Sequence, residues 1–307
     1  MNGSKNFWFM GTGQFAELCL EGLINRDITF SKIITGLPTR SGRNNKENPS
    51  HVEIKASELG LSVTRTGKLT ENHELIRELE TNPPEIIFVI DFGQIIKPPF
   101  LDLMCLNIHP SLLPEYRGAA PIQRALLDGR DKTGVTVFRL AKSMDSGDIL
   151  AQSEINIAGE YNASDLYNIL SDLGCEIAAE SLNSPLSFTP QDDSLATFAD
   201  KLSKEDFALS FHTMSAEKIF NSVRALDMSG GAYVMINNKR VKLWRVKLRK
   251  DFHDEPESGK ILELANNPVI SCQDYAVELI EVQNEGKKRT SGLEWSRGIR
   301  LKLGGIL

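Results

Sequence analysis

The chain has 307 residues, 41% of them hydrophobic and 25% charged, with a net charge of −6. That length exceeds one ordinary core and sets two domains as the expectation, and the composition excludes disordered and collagen-like chains. No apolar run reaches the roughly 18–20 residues that span a bilayer, and the N-terminus has neither a long apolar stretch nor an Arg-rich transit pattern, which reads as a cytoplasmic protein.

In chain order, residues 7–10, 32–37, 85–91 and 105–108 are apolar runs that predict buried strands. Residues 15–24, 51–59 and 71–79 predict helices, the last with Leu75, Ile76 and Leu79 on one face. This alternation predicts an α/β, Rossmann-like, doubly wound and mostly parallel sheet. Residues 133–140 and 149–157 are β-rich and joined by a polar turn holding Asp145 and Gly147. A helix over 163–182 follows, capped by Asn162 with Asp165 three residues on. Residues 184–206 carry two prolines and no period, so they read as a connection. The expected division is 1–184, a linker over 185–207, and 208–307. The last part has a helix over 216–226, then short strands over 232–236, 241–248, 261–264, 269–272 and 275–282, which predict an OB-like β-barrel.

Cys19, Cys105, Cys175 and Cys272 stand far apart, with no C-x-x-C pair. They read as reduced, buried thiols, and no metal site is expected. Residues 208–307 hold 16 Lys and Arg against 12 Asp and Glu, while the rest holds 19 against 29. An acidic body with a mildly basic C-terminal part suits a polyanionic partner, and ordinary surface scatter gives the same balance.

Two motifs compete for the chemistry. Gly11-Thr12-Gly13-Gln14-Phe15-Ala16 spells G-x-G-x-x-A after a predicted strand, the written form of a dinucleotide fingerprint. That reading needs an acidic residue at the end of the second strand, and Leu37-Pro38-Thr39-Arg40 offers none, although Arg40 suits a 2′-phosphate. The alternative is a tight strand-to-helix turn. The second motif is Leu106 to Gly118, LNIHPSLLPEYRG. Asn107 and His109 alternate with Ile108 at the end of a predicted strand and share one side of it. An amide donor beside an imidazole suits an oxyanion while a proton moves. Asp145, brought against His109, would fix its tautomer. The plain alternatives are a histidine satisfying a loop and an aspartate in an Asx turn.

HPSLLPEYRGAAPIQ followed by SMDSGDIL resembles the 10-formyltetrahydrofolate-dependent formyltransferases. The resemblance places Asn107, His109 and Asp145 on that family's catalytic Asn, His and Asp, and Ser111, Leu112, Leu113 and Pro114 on its folate-binding loop. It places Ile90, Asp91 and Phe92 beside the pterin pocket, and turns Gly11–Ala16 into the edge of the active-site cleft. Within the family the chain is most similar to the branch acting on methionyl-tRNA, through FMGTGQFA, the linker LATFADKLSKED and the loop TRSGRNNKENP. The implied co-substrate is 10-formyltetrahydrofolate and the implied acceptor the initiator methionyl-tRNA. Arg40, Arg43 and Lys46 of that loop are expected to hold the acceptor end, and Lys239, Arg240 and Lys242 of a basic hairpin the body. A monomer without a membrane anchor is expected. A sugar-nucleotide N-formyltransferase with the same triad is the rival. Two departures from the family stand out: Gly13 where it commonly has Pro, and Asp91 where it has a small or apolar residue.

Overall fold

The computed structural model describes residues 6–41, 46–253 and 257–307. They form two compact units. One takes in the chain up to Gly118, Lys132–Ile155 and Tyr167–Ala199, and the other Ala119–Asp131, Asn156–Leu166 and Asp200–Leu307.

The strands and helices run, in chain order, β1 (Phe7–Gly11), α1 (Gln14–Ile24), β2 (Lys32–Gly36), β3 (Thr39–Ser41), β4 (Lys46–Asn48), α2 (His51–Glu58), β5 (Thr64–Thr66), α3 (His73–Thr81), β6 (Ile86–Ile90), β7 (Cys105–His109), β8 (Arg117–Gly118), α4 (Pro121–Leu127), β9 (Lys132–Arg139), β10 (Ile149–Asn156), α5 (Ala163–Ser181), β11 (Phe198–Ala199), β12 (Ala208–Leu209), α6 (Ala216–Ala225), β13 (Ala232–Ile236), β14 (Lys239–Arg249), β15 (Ile261–Glu263), β16 (Val269–Ser271), β17 (Ala276–Asn284), β18 (Thr290–Ser291) and α7 (Gly292–Gly298).

The first unit is built on a sheet of order β10-β9-β7-β6-β1-β2-β5. The five strands from β7 to β5 are mutually parallel, and β9 runs antiparallel to β7. β1 (FWFMG) and β6 (IIFVI) are buried at every position, as central parallel strands covered on both faces must be. One face gathers Trp8, Met10, Ile34, Leu75, Ile87, Val89 and Phe100. Phe7, Phe9, Phe30 and Phe88 meet edge to face, with centroids 5.3–6.2 Å apart. Each fully buried side chain among these, such as Phe9 and Phe88 at 0% exposure, is worth about 1.5–3 kcal/mol. The chain leaves β1 toward β2 and β5, then crosses to β6 on β1's other side. This reversal puts a crevice at the carboxyl ends of β1 and β6, where open α/β sheets bind ligands.

Helix starts follow their caps. Ser50 Oγ accepts from Glu53 N at 3.0 Å and Asn72 Oδ1 from Leu75 N at 3.1 Å. Asn162 and Asp165 cap reciprocally, at 2.9 and 3.0 Å, as their spacing predicts.

The second unit carries a curled sheet, a half-barrel, of order β12-β13-β14-β17-β16-β15 with β18 on β17. All its pairings are antiparallel except β12 with β13. In β14 the buried positions run Val241, Leu243, then Val246. The slip comes from a bulge around Arg245, where the register shifts on both sides. All four cysteines are free and buried, and burial pushes the Cys105 and Cys272 thiols up to about 12. No helix among the described residues is long and apolar enough to cross a membrane.

Candidate active site

The carboxyl end of β7 delivers Asn107 and His109 two residues apart, so they share a face of the strand. His109 is 6% exposed and Asn107 half-buried. The imidazole lies edge-on to Phe138 of β9, with centroids 6.3 Å apart. Its Nε2 donates to Tyr116 O at 3.0 Å. A carbonyl can only accept, so this nitrogen carries a proton. Nδ1 faces Asp145 Oδ2 at 3.9 Å. Both ring nitrogens therefore face acceptors. Among the described residues no hydrogen bond engages the Asn107 amide, which leaves its donors open.

Asp145 sits between β9 and β10 with a left-handed backbone, φ 50°. Its Oδ2 accepts from Gly118 N at 2.8 Å. Gln191 Nε2 donates to Asp145 O at 2.8 Å and to Gly147 O at 2.7 Å. Arg117, 6% exposed, donates through Nε and Nη2 to Gln191 Oε1 at 3.0 and 2.7 Å, and through Nη2 to Asp193 Oδ1 at 2.7 Å. Sequence reasoning missed both residues. Arg117 stands inside the quoted LNIHPSLLPEYRG motif; Gln191 carries no local signal, because its partners lie 44–74 residues away.

The loop Ser111–Pro114 is fastened to the neighbouring strands. Thr136 Oγ1 donates to Ser111 O at 2.7 Å and accepts from Leu113 N at 3.0 Å. Gln152 Nε2 donates to Leu113 O at 2.7 Å, and Ser111 Oγ to Glu115 O at 2.7 Å. Leu113 is 3% exposed, while Leu112 and Pro114 are half-buried. The expected Ile90 and Phe92 are packed in the core at 0% and 5% exposure, so of this segment only Asp91 is exposed to a ligand.

The glycine turn has a different cause from the one its pattern suggests. Gly13 has φ −85°, ψ −175°, open to any residue. What it supplies is room: a Cβ there would fall 1.8 Å from Asp91 Oδ2. At Gly11 a Cβ would fall 2.6 Å from Ala16 Cβ, so this glycine lets α1 close on β1. The N-cap Gly13 offers no side chain, and the Asp91 carboxyl instead accepts a bond from the Phe15 backbone. Thr12 N and Gly13 N both donate to Asp91 O, at 3.0 and 3.1 Å. Asp91 itself has φ 43°. Its residue surface is largely open, yet protein atoms crowd the carboxyl. Lost hydration pushes its pKa up to about 6, against the Phe15 N–H and the nearby His51, which pull it down. In a dinucleotide site that glycine admits the pyrophosphate; here a carboxyl lies on it and on the helix N-terminus. The two departures from the family pattern, Gly13 and Asp91, are thus one packing arrangement.

Of the basic residues, Arg40 and Lys46 fall on β3 and β4, which pair antiparallel with Arg40 opposite Glu47. Arg43 lies outside the described residues. In the second unit Arg240 stacks on Tyr233 at 4.7 Å, and Lys242 lies 5.5 Å over the Trp244 ring, which Arg289 covers at 3.5 Å. Lys239 is exposed at the start of β14. Further along that strand Arg249 is held by Asp251, Glu263 and Glu278. Among the described residues no group of three or more His, Cys, Asp or Glu is placed to hold a metal ion.

The first unit thus presents Asn107 and His109 of β7 to Asp145, and a curled antiparallel sheet follows in the second. Residues 5–182 match the formyl transferase family and residues 201–300 the formyl transferase C-terminal domain. The chain belongs to the formyl transferase family. It is similar to the methionyl-tRNA formyltransferase of Natranaerobius thermophilus, 33% identical over 308 residues covering 96% of this chain and 97% of that one. The methionyl-tRNA formyltransferase of Lactobacillus acidophilus is 36% identical over 289 residues, 92% of this chain and 91% of that one. Among solved structures, HypX from Aquifex aeolicus in complex with tetrahydrofolic acid has a TM-score of 0.64 at 17% identity, over 98% of this chain and 48% of that one. WlaRD, a sugar 3N-formyl transferase, has a TM-score of 0.64 at 19% identity, over 94% and 100%. At these identities the likeness is one of fold.

Proposed function

We propose that this chain transfers the formyl group of 10-formyltetrahydrofolate to the α-amine of initiator methionyl-tRNA. The observation that carries the chemistry is the meeting of Asp145 with His109, which shares a face of β7 with Asn107. The acceptor is supported by relatives named methionyl-tRNA formyltransferase that align along 96% and 92% of the chain.

The neutral amine attacks the formyl carbon, and the carbonyl oxygen becomes an oxyanion. The open Asn107 amide and the protonated His109 donate to that charge, in a site shielded from water by Phe138 and the Ser111–Pro114 loop. Asp145, 3.9 Å from His109 Nδ1, balances the imidazolium. Collapse of the tetrahedral species breaks the bond to N10, and the proton lost by the attacking nitrogen passes to N10 through Asp145 and water. The loop Ser111–Pro114 holds the folate, and the Ile90–Phe92 segment borders it through the exposed Asp91. Arg40, Arg43 and Lys46, and Lys239, Arg240 and Lys242 of β14, grip phosphates as simple cations. Tyr233 and Trp244 add stacking surfaces to the second group. The protein acts in the cytoplasm as a monomer.

The test offers the protein 10-formyltetrahydrofolate with charged initiator methionyl-tRNA, uncharged tRNA and an amino-sugar nucleotide in parallel. Transfer to methionyl-tRNA alone is expected. Transfer to the sugar alone would keep the chemistry and replace the acceptor. Sedimentation of the purified chain checks the oligomeric state.

A further inference from the structure

We infer that Gln191 is a positioning residue that sets Asp145 against His109; the inference rests on the catalytic role proposed for Asp145. A left-handed backbone at a residue other than glycine is uphill and persists only where its surroundings over-determine it. At Asp145 the surroundings are the two protons of one side-chain amide. Gln191 Nε2 donates to Asp145 O and to Gly147 O, at 2.8 and 2.7 Å, and so clamps both ends of the three residues that carry the turn. The orientation of that amide is dictated. Carbonyls only accept and a guanidinium only donates, so nitrogen must face the turn and oxygen must face Arg117. Arg117 is nearly buried and held in turn by Asp193. The backbone following Arg117 supplies the Gly118 N–H that holds the Asp145 carboxylate at 2.8 Å. Gly118 is itself pinned, by pairing of β8 with β11, Arg117 opposite Phe198 and Gly118 opposite Ala199. Carboxylate and carbonyl of Asp145 are thus both fixed by one rigid group made of residues 117–118 and 191–199. The segment that composition reads as a connection is part of the catalytic support.

The discriminating variant is Gln191→Glu. It keeps the shape and the acceptor for Arg117 but removes both donors to the turn. Formyl transfer to methionyl-tRNA is measured for the wild type, Gln191→Glu, Asp145→Asn and the double variant, with melting temperature and amide hydrogen exchange over residues 143–148. The expected result is a fall in kcat of about 10- to 100-fold in Gln191→Glu, KM for folate and tRNA within about twofold, and faster exchange confined to the turn. In the Asp145→Asn background the second substitution should add less than about twofold, because its route to the chemistry is already gone. A wild-type kcat in Gln191→Glu, or an undiminished loss in the Asp145→Asn background, would overturn the inference while leaving the proposed reaction intact. A wild type that transfers no formyl group would overturn the catalytic reading itself. Unchanged exchange over 143–148 would then remove the brace as well. If Gln191→Glu fails to fold, Gln191→Ala, which adds no charge, carries the same comparison.

Discussion

Two aspartates of the first unit stand in left-handed backbone beside its sheet, and they are put to opposite uses. At the end of β6, Asp91 has φ 43° and its carboxyl is consumed locally: it caps α1 through Phe15 and fills the space over Gly13. At the turn between β9 and β10, Asp145 has φ 50°, but its carboxylate is held by a distant backbone N–H and aimed at an imidazole. The first site has the look of a ligand motif and the physics of a packing solution. The second has the look of an Asx turn and the physics of an active site. The difference lies in what the carboxyl leaves open. Asp91 spends its carboxyl on the Phe15 N–H and on the space over Gly13, whereas Asp145 faces His109 and leaves the Asn107 amide unengaged among the described residues.

The sharpest way to break this contrast is at His109. His109→Ala should lower kcat by about 10²–10⁴, the usual worth of a positioned acid–base group, with the folate KM little changed. An unchanged rate of formyl transfer would return the β7 edge to the status of an ordinary loop.

The Asp91 side of the contrast is tested by packing. Gly13→Ala drives a methyl group onto the Asp91 carboxyl and should destabilise the fold by about 1–3 kcal/mol, as overpacking does. In an Asp91→Ala background, which loses the cap at about 1 kcal/mol and the aspartate's tolerance of the left-handed backbone, the added cost of Gly13→Ala should nearly vanish. Urea melts of the four proteins give this coupling directly. Additive losses would mean that the two residues do not share the space the structure gives them.

Much of this was legible in the chain itself. The buried strands at 7–10, 32–37, 85–91 and 105–108 stand within a residue or two of where periodicity puts them, because central parallel strands are read as uninterrupted apolar runs. The Asn162 and Asp165 cap and the meeting of His109 with Asp145 were equally readable. What escaped reading has identifiable physical reasons. α4 and α7 are seven residues each, too short for a 3.6-residue period, and α7 has glycine at both ends. β5 is a three-residue edge strand. Gly13 resembles a turn glycine, but its need for space arises from a residue 78 positions later. Gln191 could not be read because its two acceptors in the turn are backbone carbonyls, which leave no trace in side-chain identity, and its side-chain partner Arg117 lies 74 residues away.

A smaller effect separates the acceptor grip from the chemistry. Arg240→Ala and Lys242→Ala should each raise KM for methionyl-tRNA by about threefold to tenfold without moving the folate KM. Each should also reduce the slope of log affinity against log salt by about one, as the loss of a phosphate contact does. An equal rise in the folate KM would place these residues outside the tRNA grip.

The smallest expected effect concerns the charge on Asp91. Its pKa stands at about 6 in the fold against 3.8 for the free side chain, raised by lost hydration. Between those values the folded chain binds more protons than the unfolded one, so this group's contribution to stability falls as pH rises from about 4 to about 6 and stays low above that. His51 offsets part of the cost, and Glu17, 2.9 Å from His51 Nδ1, competes for the same imidazole. Asp91→Asn keeps an acceptor for Phe15 N–H and removes the charge. Its stability relative to the wild type should therefore rise through the pH 4–6 window and level off above it. Because the residue is open to solvent, screening holds the gain to no more than about 1 kcal/mol. Melting temperatures of the two proteins across that window decide the point. A variant that loses stability as pH rises would mean the ionised carboxyl is worth more to the α1 N-terminus than its hydration, and Asp91 would then be a cap in its charged form.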